Sequence, residues 1–108
     1  MKIITDVRPL SRSDSVYTKL TVDHGVIVEF AVVQIADING QTHQIVRYDC
    51  SHGYAHKDCL YTRAQRKERL PERPFDELFR MAIKEVEKEW QRNKSLYMRN
   101  WNLEGNSE

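Results

Sequence analysis

Long apolar runs are missing from this sequence. No stretch approaches the roughly 18 consecutive apolar residues that a membrane-spanning helix needs. The N-terminal MKIITDVRPLSRSDS also lacks the apolar core of a signal peptide. We therefore expect a cytoplasmic protein that does not associate with membranes.

The chain also has few cysteines and almost no net charge. The chain has two cysteines and a formal net charge of +1. A bridge between Cys50 and Cys59 is not expected in a reducing compartment, so these residues are free thiols or metal ligands. A near-neutral chain does not clamp a polyanion with its whole surface, although residues 63–73 carry five basic residues against two acidic ones.

What is present suits one domain, because 108 residues with 40% apolar content can bury one core but not two. Strand-like alternation dominates the first part of the chain and a helical period the last part. We predict an α+β fold in which a three- to four-stranded antiparallel meander carries one long C-terminal amphipathic helix on one face. The predicted divisions are a flexible N-terminal segment (1–15), the sheet (16–62), a basic connector (63–73), the helix (74–100) and a tail (101–108).

The strongest local signal for a turn is Asn39-Gly40, which lies between two apolar runs. Both residues tolerate the positive φ that a two-residue type I′ hairpin needs. An unbroken register from this turn places Val32 opposite Arg47 and Phe30 opposite Asp49. Arg47 and Asp49 should then share one face of the sheet.

Beyond this hairpin the pattern becomes irregular and then helical. We expect residues 51–58 to form a loop, followed by a short return strand from Cys59 to Thr62. From Phe75 to about Met98, apolar residues recur at spacings of three and four, which indicates an amphipathic helix. Pro74 suits its first helical position.

Most candidate catalytic side chains lie in RYDCSHGYAHKDC, residues 47–59. In an acid/base interpretation, His52 or His56 transfers the proton, Asp49 orients the imidazole, and Arg47 stabilises charge on a phosphate. Such groups suffice for RNA cleavage without a metal or other cofactor.

Neighbouring charges widen the choice. Asp58 is an alternative to Asp49 as the orienting carboxylate, and Lys57 is an alternative to Arg47 on the phosphate. Basic side chains of this segment and of the connector are also expected to contact nucleic acid. Those residues are Lys57, Arg63, Arg66, Lys67 and Arg69.

Two other interpretations of residues 47–59 stay open. Two thiolates and two imidazoles are a ligand set for structural zinc, with Asp49 and Asp58 as alternative oxygen ligands. Those four zinc ligands would be Cys50, His52, His56 and Cys59. Alternatively the segment is purely structural, with an ion pair between Arg47 and Asp49, histidines that fix the loop backbone, and cysteines that fill the core.

The run Arg47-Tyr48-Asp49, followed by His52-Gly53 and His56, resembles the TumE-type family of small toxin-like proteins from bacterial and archaeal toxin–antitoxin loci. The likeness includes the preceding strand, the Asn39-Gly40 turn and the long helix. It implies a small sheet with a helix across it, a cognate antitoxin protein as partner, and action on RNA or translation. The functional candidates that it implies are Arg47, Asp49, His52 and His56.

The leading hypothesis from sequence is therefore a toxin-like ribonuclease that needs no cofactor and binds RNA and an antitoxin. A non-enzymatic protein-interaction module and a zinc-stabilised structural domain are the alternatives. Self-association as a homodimer is a further expectation.

Overall fold

A computed structural model describes residues 1–51 and 53–103 of the chain. Within them, six strands form one antiparallel sheet in chain order, and one helix follows. The elements are β1 (Lys2–Pro9), β2 (Asp14–Asp23), β3 (Val26–Ile38), β4 (Gln41–Ser51), β5 (Tyr54–Cys59), β6 (Arg66–Arg69) and α1 (Phe75–Asn100).

The predicted α+β meander with a C-terminal helix is confirmed, but the prediction of three to four strands is wrong. The additional strands lie at the two edges of the sheet. β1 forms inside the segment 1–15 that was expected to be flexible, and β6 inside the connector 63–73. All eight residues of β1 are exposed, so backbone pairing with β2 defines this strand and burial does not.

The predicted helix matches α1 closely. Pro74 precedes α1 as its N-cap rather than as its first helical residue, and Asp76 and Glu77 lie in the first turn, where carboxylates favour the positive end of the helix dipole. No helix among the described residues is long and apolar enough to cross a membrane. Of the predicted tail, residues 104–108 lie outside the described residues.

A β-bulge changes the register between β3 and β4. Asn39 and Gly40 have the expected positive φ values of 53° and 81°. Further from the turn, however, Ile45 is an extra residue in β4, so that Arg47 pairs with Val33 and Asp49 with Ala31. The predicted partners Val32 and Phe30 are therefore wrong by one position, because the sequence predicted no bulge.

The hydrophobic core lies between one face of the sheet and α1. Its buried members from β2 to β5 are Val16, Phe30, Val32, Val46, Tyr48, Cys50 and Ala55, and those from α1 are Leu78, Ala82 and Val86. A smaller cluster of Ala36, Ile38 and Ile45 packs near the end of α1. We call the opposite side of the sheet, which α1 does not cover, the open face.

Candidate functional site

The pairing of β4 with β5 builds a polar cluster on the open face. Asp49 pairs with His56, and Arg47 pairs with Asp58. Paired residues in an antiparallel sheet point to the same side, and alternate residues along each strand do so too. The four side chains therefore share one face, and Arg47 and Asp49 do so as the sequence predicted.

This strand pair corrects the prediction of a loop over residues 51–58 and a return strand from Cys59 to Thr62. The return strand is β5, which begins at Tyr54 and ends at Cys59. Gly53 has a φ of 86° in the intervening turn, a backbone conformation that glycine adopts without steric cost. The signal for a tight hairpin was this glycine, and the polar composition of the segment obscured it.

The polar atoms in the cluster are close together. His56 Nε2 lies 2.8 Å from Asp49 Oδ1 and 3.7 Å from Asp58 Oδ2. Arg47 Nε donates a hydrogen bond to Asp49 Oδ2 at 2.6 Å. Lys67 Nζ lies 3.6 Å from Asp58 Oδ1. One imidazole thus faces two carboxylates, and each carboxylate has its own basic partner.

The side chains of the cluster are mostly buried. His56 is only 6% exposed, and the Asp49 and Asp58 side chains are 19% and 20% exposed. Neither Asp49 Oδ1 nor His56 Nδ1 has a hydrogen-bond partner among residues 1–51 and 53–103. Nε2 is the imidazole nitrogen that faces the two carboxylates, so any proton transfer or ligand binding by the cluster would involve Nε2 rather than Nδ1.

Two kinds of chemistry fit this arrangement. An imidazole beside carboxylates can transfer protons near neutral pH. Alternatively, Asp49, His56 and Asp58 each present a ligand atom within 4.8 Å of the other two, so these three residues could hold a metal ion. Asp58, an alternative in the sequence interpretation, is thus part of the cluster.

The structure separates the predicted zinc ligands. Cys50 lies in the core beneath α1, where its Sγ is 3.1 Å from the backbone nitrogen of Phe30, whereas the imidazole of His56 lies on the open face. Cys59 is fully buried and alternates with Asp58, so it too points away from His56. His52 lies outside the described residues. Cys50, His56 and Cys59 cannot therefore bind a common ion.

The protonation state of the buried Cys50 thiol also disfavours metal ligation. The two thiols are free, with no disulfide between them. Burial raises the pKa of the Cys50 thiol, which keeps it protonated, and thiolate rather than thiol is the form that binds zinc. The interpretation of the cysteines as core residues fits these contacts.

The predicted nucleic-acid contacts divide between several surfaces. Lys67 and Arg69 lie on the open face, paired with Asp58 and His56, and their side chains are 62% and 64% exposed. The Arg69 guanidinium lies 4.7 Å from the centre of the exposed Tyr54 ring. Tyr54 was not among the predicted site residues, and only its position beside the hairpin turn could have suggested it.

The other basic candidates lie elsewhere. The Lys57 ammonium is 2.6 Å from Glu85 of α1, so Lys57 belongs to the helix-covered side and cannot replace Arg47 in the cluster. Burial alone would lower the pKa of Lys57, but the hydrogen bond and charge of Glu85 outweigh it and raise that pKa. Arg66 pairs with Glu68 at 2.9 Å, and Arg63 is exposed in the turn before β6.

Fold and site together define a small α+β domain with an aspartate–histidine–aspartate cluster on an uncovered sheet face. The chain belongs to the family described as Domain of unknown function (DUF7718), whose model matches residues 1–103. No curated protein matches the chain significantly, and no solved structure does either. The family description assigns no activity and does not bear on the resemblance to the TumE-type family.

Proposed function

We propose that this protein is the toxin-like component of a toxin–antitoxin system, and that it binds single-stranded RNA on its open face and cleaves it there. The observation that carries the proposal is the position of His56 Nε2, 2.8 Å from Asp49 Oδ1 and beside Arg47, on a face that α1 leaves uncovered. The resemblance to the TumE-type family supports the assignment to a toxin–antitoxin system.

In the proposed reaction, His56 Nε2 accepts the proton of an RNA 2′-hydroxyl. The 2′-oxygen then forms a bond to the adjacent phosphorus, the bond from phosphorus to the 5′-oxygen breaks, and the leaving oxygen takes a proton from solvent. The products are a 2′,3′-cyclic phosphate and a free 5′-hydroxyl. Asp49 stabilises the imidazolium that forms.

Arg47 suits the role of phosphate ligand. Its Nε is held by Asp49 at 2.6 Å, which leaves the terminal N–H groups of the guanidinium to bind phosphate oxygens. Because its orientation is fixed before RNA binds, the guanidinium loses little conformational entropy on binding phosphate and stabilises charge in the transition state.

Lys67, Arg69 and Tyr54 suit the role of RNA-binding residues beside the cluster. Two exposed basic side chains on one face can contact successive phosphates. The exposed Tyr54 ring offers a surface on which a base can stack, with Arg69 beside it. Aromatic stacking combined with basic residues is the usual means of binding single strands without strict sequence preference.

The test is to incubate the purified full chain with mixed single-stranded RNA, with and without EDTA. His56→Gln removes the base, and His24→Gln is the matched control because His24 lies in an exposed turn away from the cluster. We expect cleavage by the wild type and by His24→Gln, and a loss of about 100-fold or more in His56→Gln. Circular dichroism of each variant checks that the fold is retained. Intact RNA under every condition would refute the proposed cleavage.

Growth arrest on expression provides a second, cellular readout. The wild type should arrest growth, and Asp49→Ala and His56→Ala should relieve the arrest at equal protein level. Full arrest by both variants would show that the cluster is not the toxic site.

A protein-interaction module is the second candidate, and β1 is the observation that favours it. This eight-residue edge strand is exposed throughout and includes exposed Ile3 and Val7. An unpaired strand edge is a surface to which a partner protein can add a strand. Thr5→Pro removes one backbone N–H from β1 and should weaken binding of a cognate antitoxin in pull-down experiments, while equal capture would exclude this edge.

A further inference from the structure

We propose that Asp49, His56 and Asp58 bind one divalent transition-metal ion on the open face. This site differs from the cysteine–histidine zinc site considered from sequence. Ion binding follows from the geometry of these residues alone, whereas a catalytic role for the ion rests on the proposed function.

The distances between ligand atoms suit a single ion. Protein nitrogen and oxygen ligands lie about 2.0–2.2 Å from zinc, so two ligands are about 3.0 Å apart at a right angle and about 3.4 Å apart at a tetrahedral angle. His56 Nε2 is 2.8 Å from Asp49 Oδ1 and 3.7 Å from Asp58 Oδ2, and all three ligand atoms lie within 4.8 Å of one another. Small side-chain rotations would bring all three to one ion.

The hydrogen bonding of Asp49 is the second observation that indicates a ligand. Arg47 Nε binds Oδ2 and fixes the carboxylate, while Oδ1 is buried and accepts no hydrogen bond from the described residues, although His56 Nε2 is nearby. The two atoms are 2.8 Å apart, close enough for an ion pair but poorly aligned for a hydrogen bond, and two ligands of a common ion would face each other in this way. Fixing a ligating carboxylate through its other oxygen is a usual supporting contact at metal sites.

His56 provides the same indication from the other side of the cluster. Its side chain is more than nine-tenths buried, and Nε2 points to the two carboxylates while Nδ1 has no partner among the described residues. A buried imidazole next to two carboxylates gains stabilisation from a cation between them.

The charge around the cluster also leaves a place for an ion. Arg47 contacts Oδ2 of Asp49, whereas His56 contacts Oδ1. The Lys67 ammonium is 3.6 Å from Asp58 on a largely exposed side chain. Lys67 can therefore move into solvent when an ion binds. It competes with the ion for Asp58.

The ligand chemistry selects the class of ion. Carboxylates suit Mn²⁺ and imidazole suits Zn²⁺, and a site with both accepts either. Three protein ligands leave coordination positions for water or for a phosphate oxygen, which is typical of catalytic rather than structural metal sites. Because the cluster lies on the open face, we expect the RNA of the proposed function to bind at these remaining positions.

Direct metal binding to the full chain, stripped with chelator, is the test. Titration with Mn²⁺, followed by electron paramagnetic resonance and calorimetry, should show one ion per chain, with competition by Zn²⁺. Asp49→Asn and Asp58→Asn, which preserve side-chain shape, should each weaken affinity about 10-fold or more. Asp6→Asn, on the exposed β1 strand, is the matched control and should bind as the wild type does.

Lys67→Ala provides a result that a purely structural ion-pair network does not predict. Removing a cation that competes for Asp58 should tighten Mn²⁺ binding. The inference is overturned if the folded wild type binds neither Mn²⁺ nor Zn²⁺, or if a variant with both Asp49→Asn and Asp58→Asn binds with wild-type affinity.

The two proposals fail in distinguishable ways. One bound ion and intact RNA would support the metal site and refute the ribonuclease. Cleavage that persists in EDTA, together with no ion bound, would support the metal-free reaction and refute the metal site. Because Nε2 cannot hold an ion and accept a proton at the same time, one bound ion together with cleavage that EDTA abolishes would assign His56 as a ligand and refute its role as the base.

Discussion

Asp49 and Cys50 are consecutive in β4, yet their side chains lie on opposite sides of the sheet. The Asp49 carboxylate contacts His56 on the open face, and the Cys50 thiol lies in the core beside the Phe30 backbone. The alternation of strand side chains thus divides a sequence rich in metal ligands into two chemically different halves. One half forms the candidate site and the other packs against α1.

The first prediction concerns the cysteines. Cys50→Ala should leave Mn²⁺ affinity unchanged, since the thiol does not reach the cluster, and should lower the free energy of unfolding by about 1 kcal/mol through lost packing. Metal titration and urea unfolding of the same preparation measure both effects. A Cys50→Ala variant that no longer binds the ion would return the thiol to the list of ligands.

The second prediction concerns the pH dependence of stability through Glu85. Burial alone would raise the pKa of Glu85, but hydrogen bonds from Lys57 and Tyr48 lower it. A carboxyl group whose pKa is lowered by folding stabilises the fold at pH values above its ordinary pKa. This stabilisation is lost as the pH falls through the lowered pKa. The raised pKa of Lys57 acts in the opposite direction. Its stabilisation is fully present below the ordinary pKa of lysine and is lost as the pH rises through the raised pKa.

The contacts of Glu85 should therefore stabilise the fold between about pH 5 and about pH 10. Glu85→Gln should lower the free energy of unfolding by about 1 kcal/mol at pH 7, an amount reduced because Glu85 is partly exposed. The difference in the free energy of unfolding between Glu85→Gln and the wild type should become smaller below about pH 4. Urea unfolding at the two pH values measures it, with the exposed Glu72→Gln as control. A difference that is independent of pH would contradict this account.

The third prediction concerns the contact between α1 and the sheet. Leu78 is buried in the core, whereas Met81 in the same helix is exposed. Leu78→Ala should destabilise the protein by about 2–4 kcal/mol because it leaves a cavity, and Met81→Ala should cost less than about 0.5 kcal/mol. Chemical denaturation of the pair tests the packing. Similar losses of unfolding free energy in the two variants would mean that the buried apolar side chains of α1 do not hold the helix on the sheet.

The fourth prediction concerns the basic residues of the open face. If RNA phosphates bind there, Lys67→Ala and Arg69→Ala should each reduce the slope of log affinity against log salt by about 0.7 for a single-stranded oligonucleotide. Arg80→Ala removes the same charge from α1, where Arg80 pairs with Asp76, and should leave the slope unchanged. Filter binding at several salt concentrations measures the slopes. Equal reductions in all three variants would indicate general charge attraction rather than a defined surface.

Much of the fold could be predicted because local chemistry determines it. The Asn39-Gly40 turn and the apolar stripe of α1 are signals contained within a few residues. The edge strands β1 and β6 could not be found in this way, because their exposed side chains carry no signal of burial. Nor could the bulge at Ile45 be found, because no glycine marks it in the sequence.

The sequence predicts which residues are candidates for the site, but not which of them lie together on one face of the sheet. Arg47, Asp49 and His56 are brought together as expected, and His52 lies outside the described residues. No local pattern excludes Cys59 or Lys57 from the site, because the side of the sheet that each residue faces depends on where the turn lies. The pairing of β5 with β4 determines which side each residue faces. The sequence predicts a loop over residues 51–58 instead of this strand.

The turn at Gly53 also has a consequence for the gene. A one-codon change there that is taken up by the strand pairing, and not by a longer loop, would shift β5 against β4 by one position and exchange the sides of Ala55 and His56. The imidazole would then enter the apolar layer beneath α1, and a methyl group would take its place on the outer surface. Two codons together would preserve the parity of the strand, so a change in length that the strands absorb is compatible with the site only in even steps.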